Sequence, residues 1–161
     1  MKTSVDKRFS RPLLSIALAS IAILLSGCAS LEPVVPTKPL PRQTLSTPVP
    51  DGQTRVIFFN DSNFLMYGLD GTGTINFFLD EEPVATVPIG GWVQVFAEPR
   101  EYSLKLQHHD MGLIEDTFDL SIVGEETYVR LYCGITSTKF ELLESLPENF
   151  NDKFDPMVIR P

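Results

Sequence analysis

The side chains best suited to metal or nucleophilic chemistry are few, since the chain has two histidines and two cysteines. His108, His109 and Asp110 stand together, and imidazoles beside a carboxylate are typical metal ligands. Adjacent residues of a strand point to opposite faces, so His108 and His109 cannot ligate one ion from a regular strand. No further ligand stands at a spacing that recurs in metal sites. We therefore predict a polar pair near a turn, and no metal or other cofactor.

Cys133 is the remaining thiol once Cys28 is modified, as argued below. It shares a strand face with Val129 and Leu131, and these apolar neighbours predict a buried thiol that behaves as a small hydrophobic residue. A catalytic thiol needs a lowered pKa and a base within reach, and the strand offers neither. An intermolecular disulfide stays open as a minor alternative.

The acidic residues are numerous but show no arrangement for acid–base catalysis. Along the predicted strand 114–122, Glu115 and Asp119 lie on one face and Asp116 on the other. We interpret them as solvating groups that protect a sheet edge. Residues 70–73 (DGTG) lack the carboxylates of a calcium loop and precede no helix, so they form neither an EF-hand nor a phosphate loop. We predict that the chain is not an enzyme.

Aromatic residues on two predicted strands are the most suggestive binding feature. The apolar residues that alternate with them are predicted to face the core, so the aromatics face outward together. This candidate binding face comprises Trp92, Phe96, Tyr128, Arg130 and Tyr132. Aromatic rings with polar groups suit contacts with glycans or proteins. Two alternatives stay open: the C-terminal segment with Phe150 and Phe154 covers this face, or Trp92 belongs to the core.

Cys28 follows a segment typical of export. Residues 1–12 hold four basic side chains and one acid, and residues 13–25 form an apolar run interrupted by two serines. Thirteen helical residues span roughly 20 Å, short of the ~30 Å hydrocarbon core, so we predict a signal peptide over residues 1–27. Residues 25–28 (LSGC) resemble the bacterial lipobox, whose cysteine accepts a lipid, and we predict acylation of Cys28. The alternative is an ordinary signal peptide or an uncleaved anchor with a chance cysteine.

Ala29 follows the cysteine, at the position where Asp is the familiar signal for retention in the inner membrane. By resemblance to enterobacterial lipoproteins, this predicts the bacterial outer membrane, with the domain facing the periplasm. Loss of the four basic residues and one acid of residues 1–27 takes the formal net charge from −8 to −11. Anionic lipid repels such a body, so the acyl chains and not the charge provide the anchor. The acidic balance also argues against nucleic acid as a partner.

Residues 54–144 are predicted to form one all-β domain. Strand patterns rich in β-branched and aromatic residues, such as 55–60 (RVIFFN) and 74–79 (TINFFL), recur with turn signals between them. Hydrophobic residues make up 43% of the chain, enough for a packed core, and no helix-period stretch interrupts the strands. We predict a small antiparallel β-sandwich of seven to eight strands.

The segments on either side of this domain differ in composition. Residues 28–53 hold six of the 13 prolines, and proline lacks an amide donor, so neither helix nor sheet is expected there. We predict an extended tether with a reach of up to roughly 75 Å that holds the domain off the membrane. A proline-recognising partner is the alternative. Residues 145–161 are predicted to form a tail that makes one short helical turn after Pro147 or lies across the domain.

The stretch from Phe77 to Glu141 resembles a family of small bacterial lipoproteins that carry a β-sandwich domain of unknown function. Residues 78–84 (FLDEEPV) resemble that family's strand, Asp-Gly turn and short strand. Further turn and strand signatures are similar in residues 90–95 (GGWVQV), 98–104 (EPREYSL) and 123–130 (VGEETYVR). Glu81, Glu82, Arg100 and Thr127 depart from the family's pattern. The resemblance implies fold rather than chemistry, because it brings no catalytic residues to transfer.

Taken together, these patterns predict a lipid-anchored cell-envelope protein. Its periplasmic sandwich is expected to act as a protein-interaction or scaffolding module, with an envelope protein as partner. A peptidoglycan-binding or other glycan-binding lipoprotein is the alternative.

Overall fold

The computed structural model of this chain describes residues 31–63, 73–109, 112–134 and 136–157. The predicted signal peptide, Cys28, residues 70–72 and Asp110 lie outside the described residues. Within them the elements are β1 (Thr54–Asn60), β2 (Ile75–Leu79), β3 (Glu82–Val87), β4 (Gly91–Ala97), β5 (Glu101–His109), β6 (Leu113–Ser121), β7 (Glu126–Cys133), β8 (Thr138–Leu143), α1 (Phe150–Lys153) and β9 (Asp155–Pro156). The predicted all-β class is confirmed.

The strands form two sheets that pack face to face. The five-stranded sheet has the order β8-β7-β1-β4-β9, and the four-stranded sheet has the order β3-β2-β5-β6. Neighbours are antiparallel except for two parallel pairs, β1 with β7 and β4 with β9. The predicted β-sandwich is confirmed; the described residues form nine strands rather than seven or eight, and two of the strand pairs are parallel. Because β1 and β7 are far apart in sequence, no hairpin turn dictates the direction in which they pair.

The main core lies between the two sheets and follows the period-2 alternation of the strands. Phe58 of β1 stacks on Phe77 of β2 across the interface, with ring centroids 4.3 Å apart. Val93 and Val129 face the same core and are fully buried. Burial of such side chains contributes about 1.5–3 kcal/mol each.

The β2–β3 hairpin turns on Asp80 and Glu81, which both have positive φ, 50° and 65°. Positive φ at both central residues is the geometry of a type I′ turn, which matches the twist of the strands. Asp adopts positive φ more readily than most residues, and the Asp80 side chain is held from another strand, since its Oδ1 accepts the backbone N–H of Ser103 at 3.0 Å. The turn thereby holds the end of this hairpin against the start of β5.

Asp116 ties the two sheets together at their edges. It lies on the inner face of the edge strand β6, and its Oδ2 accepts the backbone N–H of Thr138 at 2.6 Å and the Thr138 hydroxyl at 2.8 Å. An inward-pointing charge on an edge strand discourages pairing with another chain. The predicted edge protection by Glu115 and Asp119 stays a prediction, but Asp116 is not a solvating group, since it bonds across to β8.

Candidate functional site

The predicted aromatic face exists as one side of the five-stranded sheet. In the pairing register, Phe59 lies opposite Trp92 and Arg55 opposite Phe96 on β4. Tyr128 and Arg130 occupy the same side of the adjacent strand β7. The alternation was therefore predicted correctly. The prediction that this side is exposed was wrong for most of the face, because two segments that flank the strands lie across it.

Trp92 is the first correction to the predicted binding face. Its side chain is 4% exposed, so it cannot contact a partner in this structure. Helix α1 places Phe150 over it, with ring centroids 5.8 Å apart, and Phe150 and Phe154 pack edge-on against Phe59 at 5.4 and 4.9 Å. We call this group, completed by Ile57, the outer cluster. Both open alternatives are observed here, because the C-terminal segment covers this part of the face and Trp92 is buried in the core cluster that they form together.

Arg130 belongs to a group of ion pairs that holds the C-terminal segment in place. Its guanidinium pairs with Asp61 at 2.6 Å and with Glu141 at 3.2 Å, and Asp61 also pairs with Lys153 of α1. The Asp61 side chain is only 12% exposed, so water screens these pairs less than it screens surface pairs. The segment is further fixed by backbone bonds, among them the N–H of Met157 to the carbonyl of Trp92 at 2.9 Å.

Tyr128 packs at the margin of the outer cluster, next to the chain's own charges. Its hydroxyl donates to Glu126, whose carboxylate also pairs with Arg55. Partial burial and the hydrogen bond to a carboxylate raise the pKa of Tyr128 to about 12, because both disfavour the phenolate. Tyr128 is thus engaged within the domain. Tyr132, the last member of the predicted face, is half-buried near the end of β7.

The proline-rich segment is the second cover of this side, and its prediction as a free tether needs correction. Residues 31–53, which we call the strap, lie on the domain. The Gln43 side chain accepts the backbone N–H of Gln94 at 2.6 Å and donates to the Gln94 carbonyl at 3.2 Å. In return, the Gln94 side chain donates to the carbonyls of Arg42 and Thr44. Prolines withhold amide donors, so the strap bonds the sandwich through the Gln43 side chain, its carbonyls and its remaining amides.

Phe96 remains accessible, because it lines a cleft of about 690 Å³ at one end of the sandwich. The strap residues 37–41 form one wall, and the ends of β2, β3 and β4 form the other. Apolar side chains from both sheets contribute to it: Leu79, Val84, Val95, Phe96, Ala97 and Tyr102, with Leu40 of the strap. The cleft is therefore an open continuation of the main core.

The rim of the cleft is charged and holds two ion pairs, Asp80 with Arg100 and Lys38 with Glu82, beside the side chain of Glu98. Asp80 and Arg100 form an ion pair at 2.7 Å, and the Arg100 guanidinium lies 3.7 Å from the ring centroid of Tyr102. The backbone N–H of Ser103 and the Arg100 guanidinium hold the pKa of Asp80 below its usual range. The hydrogen bond to the Asp80 carboxylate in turn raises the pKa of Arg100. One face of the Tyr102 ring is thus already occupied.

The other residues singled out by chemistry do not converge on a site. His108 is buried on the inner face of β5 and His109 lies on the outer face, as their spacing predicted. Cys133 is half-buried beside the main core, and its N–H donates to the hydroxyl of Ser62 at 2.9 Å. In the part of the chain that the structure describes, no three His, Cys, Asp or Glu side chains are grouped to hold a metal ion.

The docking of the strap on the domain was not predicted from the sequence, and the cover of the outer face was only one of the alternatives. A signal was present in β1, where residues 56–59 (VIFF) are apolar without interruption. A strand buried on one face alternates, whereas a continuous apolar run indicates burial on both faces. Every residue of this run is at most 1% exposed. The run therefore indicates a second apolar layer over the outer face of β1, and Phe150 and Phe154 supply that layer.

Comparison with protein-family models, with curated proteins and with solved structures found no match to this chain. The resemblance to small bacterial lipoproteins therefore stays a prediction. Among the described residues, no helix has the length and apolarity needed to cross a bilayer.

Proposed function

We propose that this chain is a lipid-anchored protein of the bacterial outer membrane whose sandwich binds a protein partner in the periplasm, through the cleft that Phe96 lines. The anchor is supported by the apolar run of residues 13–25 and the lipobox-like residues 25–28 that follow it. The binding role is supported by the cleft, because the tail covers Trp92 and the Tyr128 hydroxyl is bonded to Glu126.

The single observation that carries the binding site is the edge of β4 at Phe96, which opens into the cleft. Gln94 directs its backbone N–H and carbonyl away from β1, since the Gln43 side chain bonds both. Phe96 lies two residues further, so its backbone groups point to the same edge. In the described residues β9 pairs with Gly91 and Trp92 and the strap bonds Gln94, which leaves the edge at Phe96 without a neighbouring strand. An extended peptide could add there and place apolar side chains in the cleft.

A glycan is the second candidate, favoured by the ring of Phe96 beside the polar rim. Sugars stack on the faces of aromatic rings, and the guanidinium of Arg100 already covers one face of Tyr102. Apolar side chains such as Leu79 and Val84 stand among the polar groups of the lining, and this mixture suits the alternating side chains of an extended peptide. The cleft therefore favours a protein partner over peptidoglycan.

Site-specific photocrosslinking in intact cells tests this proposal. A photoreactive phenylalanine analogue replaces Phe96 in the full-length protein, and the same analogue replaces Thr117 as the matched control. Thr117 is exposed on the outer face of β6, away from the cleft. We expect a reproducible protein adduct from position 96 that is absent from position 117.

Adducts with glycan fragments alone at position 96 would replace the protein partner with peptidoglycan. Equal adducts at both positions, or none at either, would overturn the cleft as the binding site. Deletion of residues 145–161 is not a usable alternative test, because Phe150 and Phe154 belong to the folded domain.

A further inference from the structure

The first residues of the strap are bonded to the outer face of the four-stranded sheet. The Asn76 amide donates to the carbonyl of Glu32 at 2.8 Å, and the Thr86 hydroxyl accepts the N–H of Val34 at 2.9 Å. The same hydroxyl donates to Asn76 Oδ1 at 2.6 Å, which links the two contacts. Asn76 is 2% exposed, so its amide would be costly to leave without partners.

This contact places Leu31 at one particular end of the sandwich. Residues 31–34 cover a groove of about 390 Å³ that is also lined by His109 and Leu113. His109 is the last residue of β5 and Leu113 the first of β6. The cleft lies at the opposite end, where the turn at Asp80 meets Arg100. Leu113, at the outer end of the groove, is therefore about 23 Å from the cleft residue Tyr102, because Tyr102 pairs with Leu120, seven steps of ~3.3 Å along β6.

Chain length then fixes how far the anchor can be from this groove. Leu31 is three residues from Cys28, and three fully extended residues span at most roughly 11 Å. The strap lies along the domain, so its length does not add to the distance between the anchor and the domain. The chain enters the domain beside Leu113, a leucine that is 59% exposed.

We infer that the sandwich rests on the bilayer surface that holds the acyl chains of Cys28, with Leu31 and Leu113 toward the lipid headgroups and the cleft at the far end. This orientation rests on the proposed lipidation. It means that the strap acts as an orienting element: its bonds to Asn76 and Thr86 keep the anchor at one end and present the cleft to the periplasm. The surface that this end of the sandwich contacts is the lipid bilayer itself, because only three residues separate Leu31 from Cys28.

Headgroup quenching in reconstituted vesicles tests the orientation. The full-length, lipidated protein carries a fluorophore on Leu113→Cys or on Val123→Cys, both in a Cys133→Ala background. Val123 is the matched control, because it is 63% exposed just beyond the other end of β6. The vesicles are zwitterionic phosphatidylcholine and phosphatidylethanolamine with a quencher on a fraction of the headgroups. We expect several-fold stronger quenching at position 113 than at position 123.

A flexible Gly-Ser insertion tests the role of the strap. About 12 such residues between Ser30 and Leu31 add a mean reach of roughly 20 Å, and we expect them to abolish most of the difference between the two positions. The same insertion after the exposed Gly52 should leave the difference intact, because it lies downstream of the contacts at Asn76 and Thr86.

The outcomes separate the orientation from the anchor. Vesicle flotation and the intact mass of the protein first report whether Cys28 is acylated; an unmodified protein that does not float would refute the anchor itself. If the protein floats but quenching is equal at the two positions, or stronger at 123, the orientation is overturned. An upstream insertion that leaves strong quenching at 113 would overturn the orienting role of the strap.

Discussion

The two outer faces of this sandwich are built in different ways. On the four-stranded sheet, β6 alternates between partly buried residues and exposed ones such as Glu115, Thr117 and Asp119. On the five-stranded sheet, β1 is buried along almost its entire length, on both sides. The first face thus meets water along β6, with the start of the strap bonded over β2 and β3. The second face carries an apolar layer supplied by the tail, with a later part of the strap beside it.

This difference teaches that the flanking segments are structural parts of the domain. A face that presents Ile57, Phe59 and Trp92 would expose a large apolar patch without its cover. The tail removes that patch from water, and the ion pairs of Asp61 with Arg130 and Lys153 fasten it. The cleft next to Phe96 is the place where the cover of the five-stranded sheet leaves an opening.

The largest expected effect comes from opening the covered face. Phe150→Ala removes a 2%-exposed ring from the outer cluster, and we expect a loss of about 3 kcal/mol in the free energy of unfolding. The matched control is Phe78→Ala on the outer face of the four-stranded sheet. Phe78 is half-buried beneath Lys105, whose Nζ lies 4.4 Å from the ring centroid, so about 1 kcal/mol is expected there. Urea denaturation followed by far-ultraviolet circular dichroism measures both. Similar small losses in the two variants would mean that the tail is docked only loosely.

A smaller effect is expected from loosening the strap. Gln43→Ala removes both bonds from the Gln43 side chain to the backbone of Gln94, and we expect a loss of about 1–2 kcal/mol. Gln107→Ala on the other sheet removes an exposed bond to Glu115 and should cost less than about 0.5 kcal/mol. Hydrogen exchange at the Gln94 amide should also accelerate in the first variant. Unchanged exchange there would show that the strap does not protect the edge of β4.

The smallest effect is a pH dependence at the margin of the covered face. The folded-state pKa of Tyr128, about 12, lies above its ordinary value of 10.0, so the folded protein favours the neutral phenol. The stabilisation that this shift represents is complete below pH 10, and it declines as the pH rises from 10 towards 12. We expect the near-ultraviolet absorbance titration to contain a tyrosine step near pH 12 that Tyr128→Phe removes. Loss of a step near pH 10 on that substitution, instead of the step near pH 12, would place the phenol in ordinary solvent.

Much of the sandwich was predictable because its strands are read locally. The alternation of Tyr102, Leu104 and Leu106 and the run 55–60 predicted strands whose ends lie within a few residues of those observed. The opposite facing of His108 and His109 followed from the two-residue period alone. The parallel pairing of β1 with β7 could not be predicted in this way, because the choice depends on residues some 70 positions apart.

The sequence by itself determined the strands, the side on which each aromatic residue lies and the segments with unusual composition. It did so because side-chain alternation and the missing amide donor of proline are properties of a few consecutive residues. Only the tertiary structure decided what covers each face. Trp92 and Phe96 lie on the same side of the same strand. Trp92 is buried because α1 covers it, whereas Phe96 is accessible because the strap leaves a cleft beside it. Such cover depends on contacts between distant segments, so no local pattern contains it.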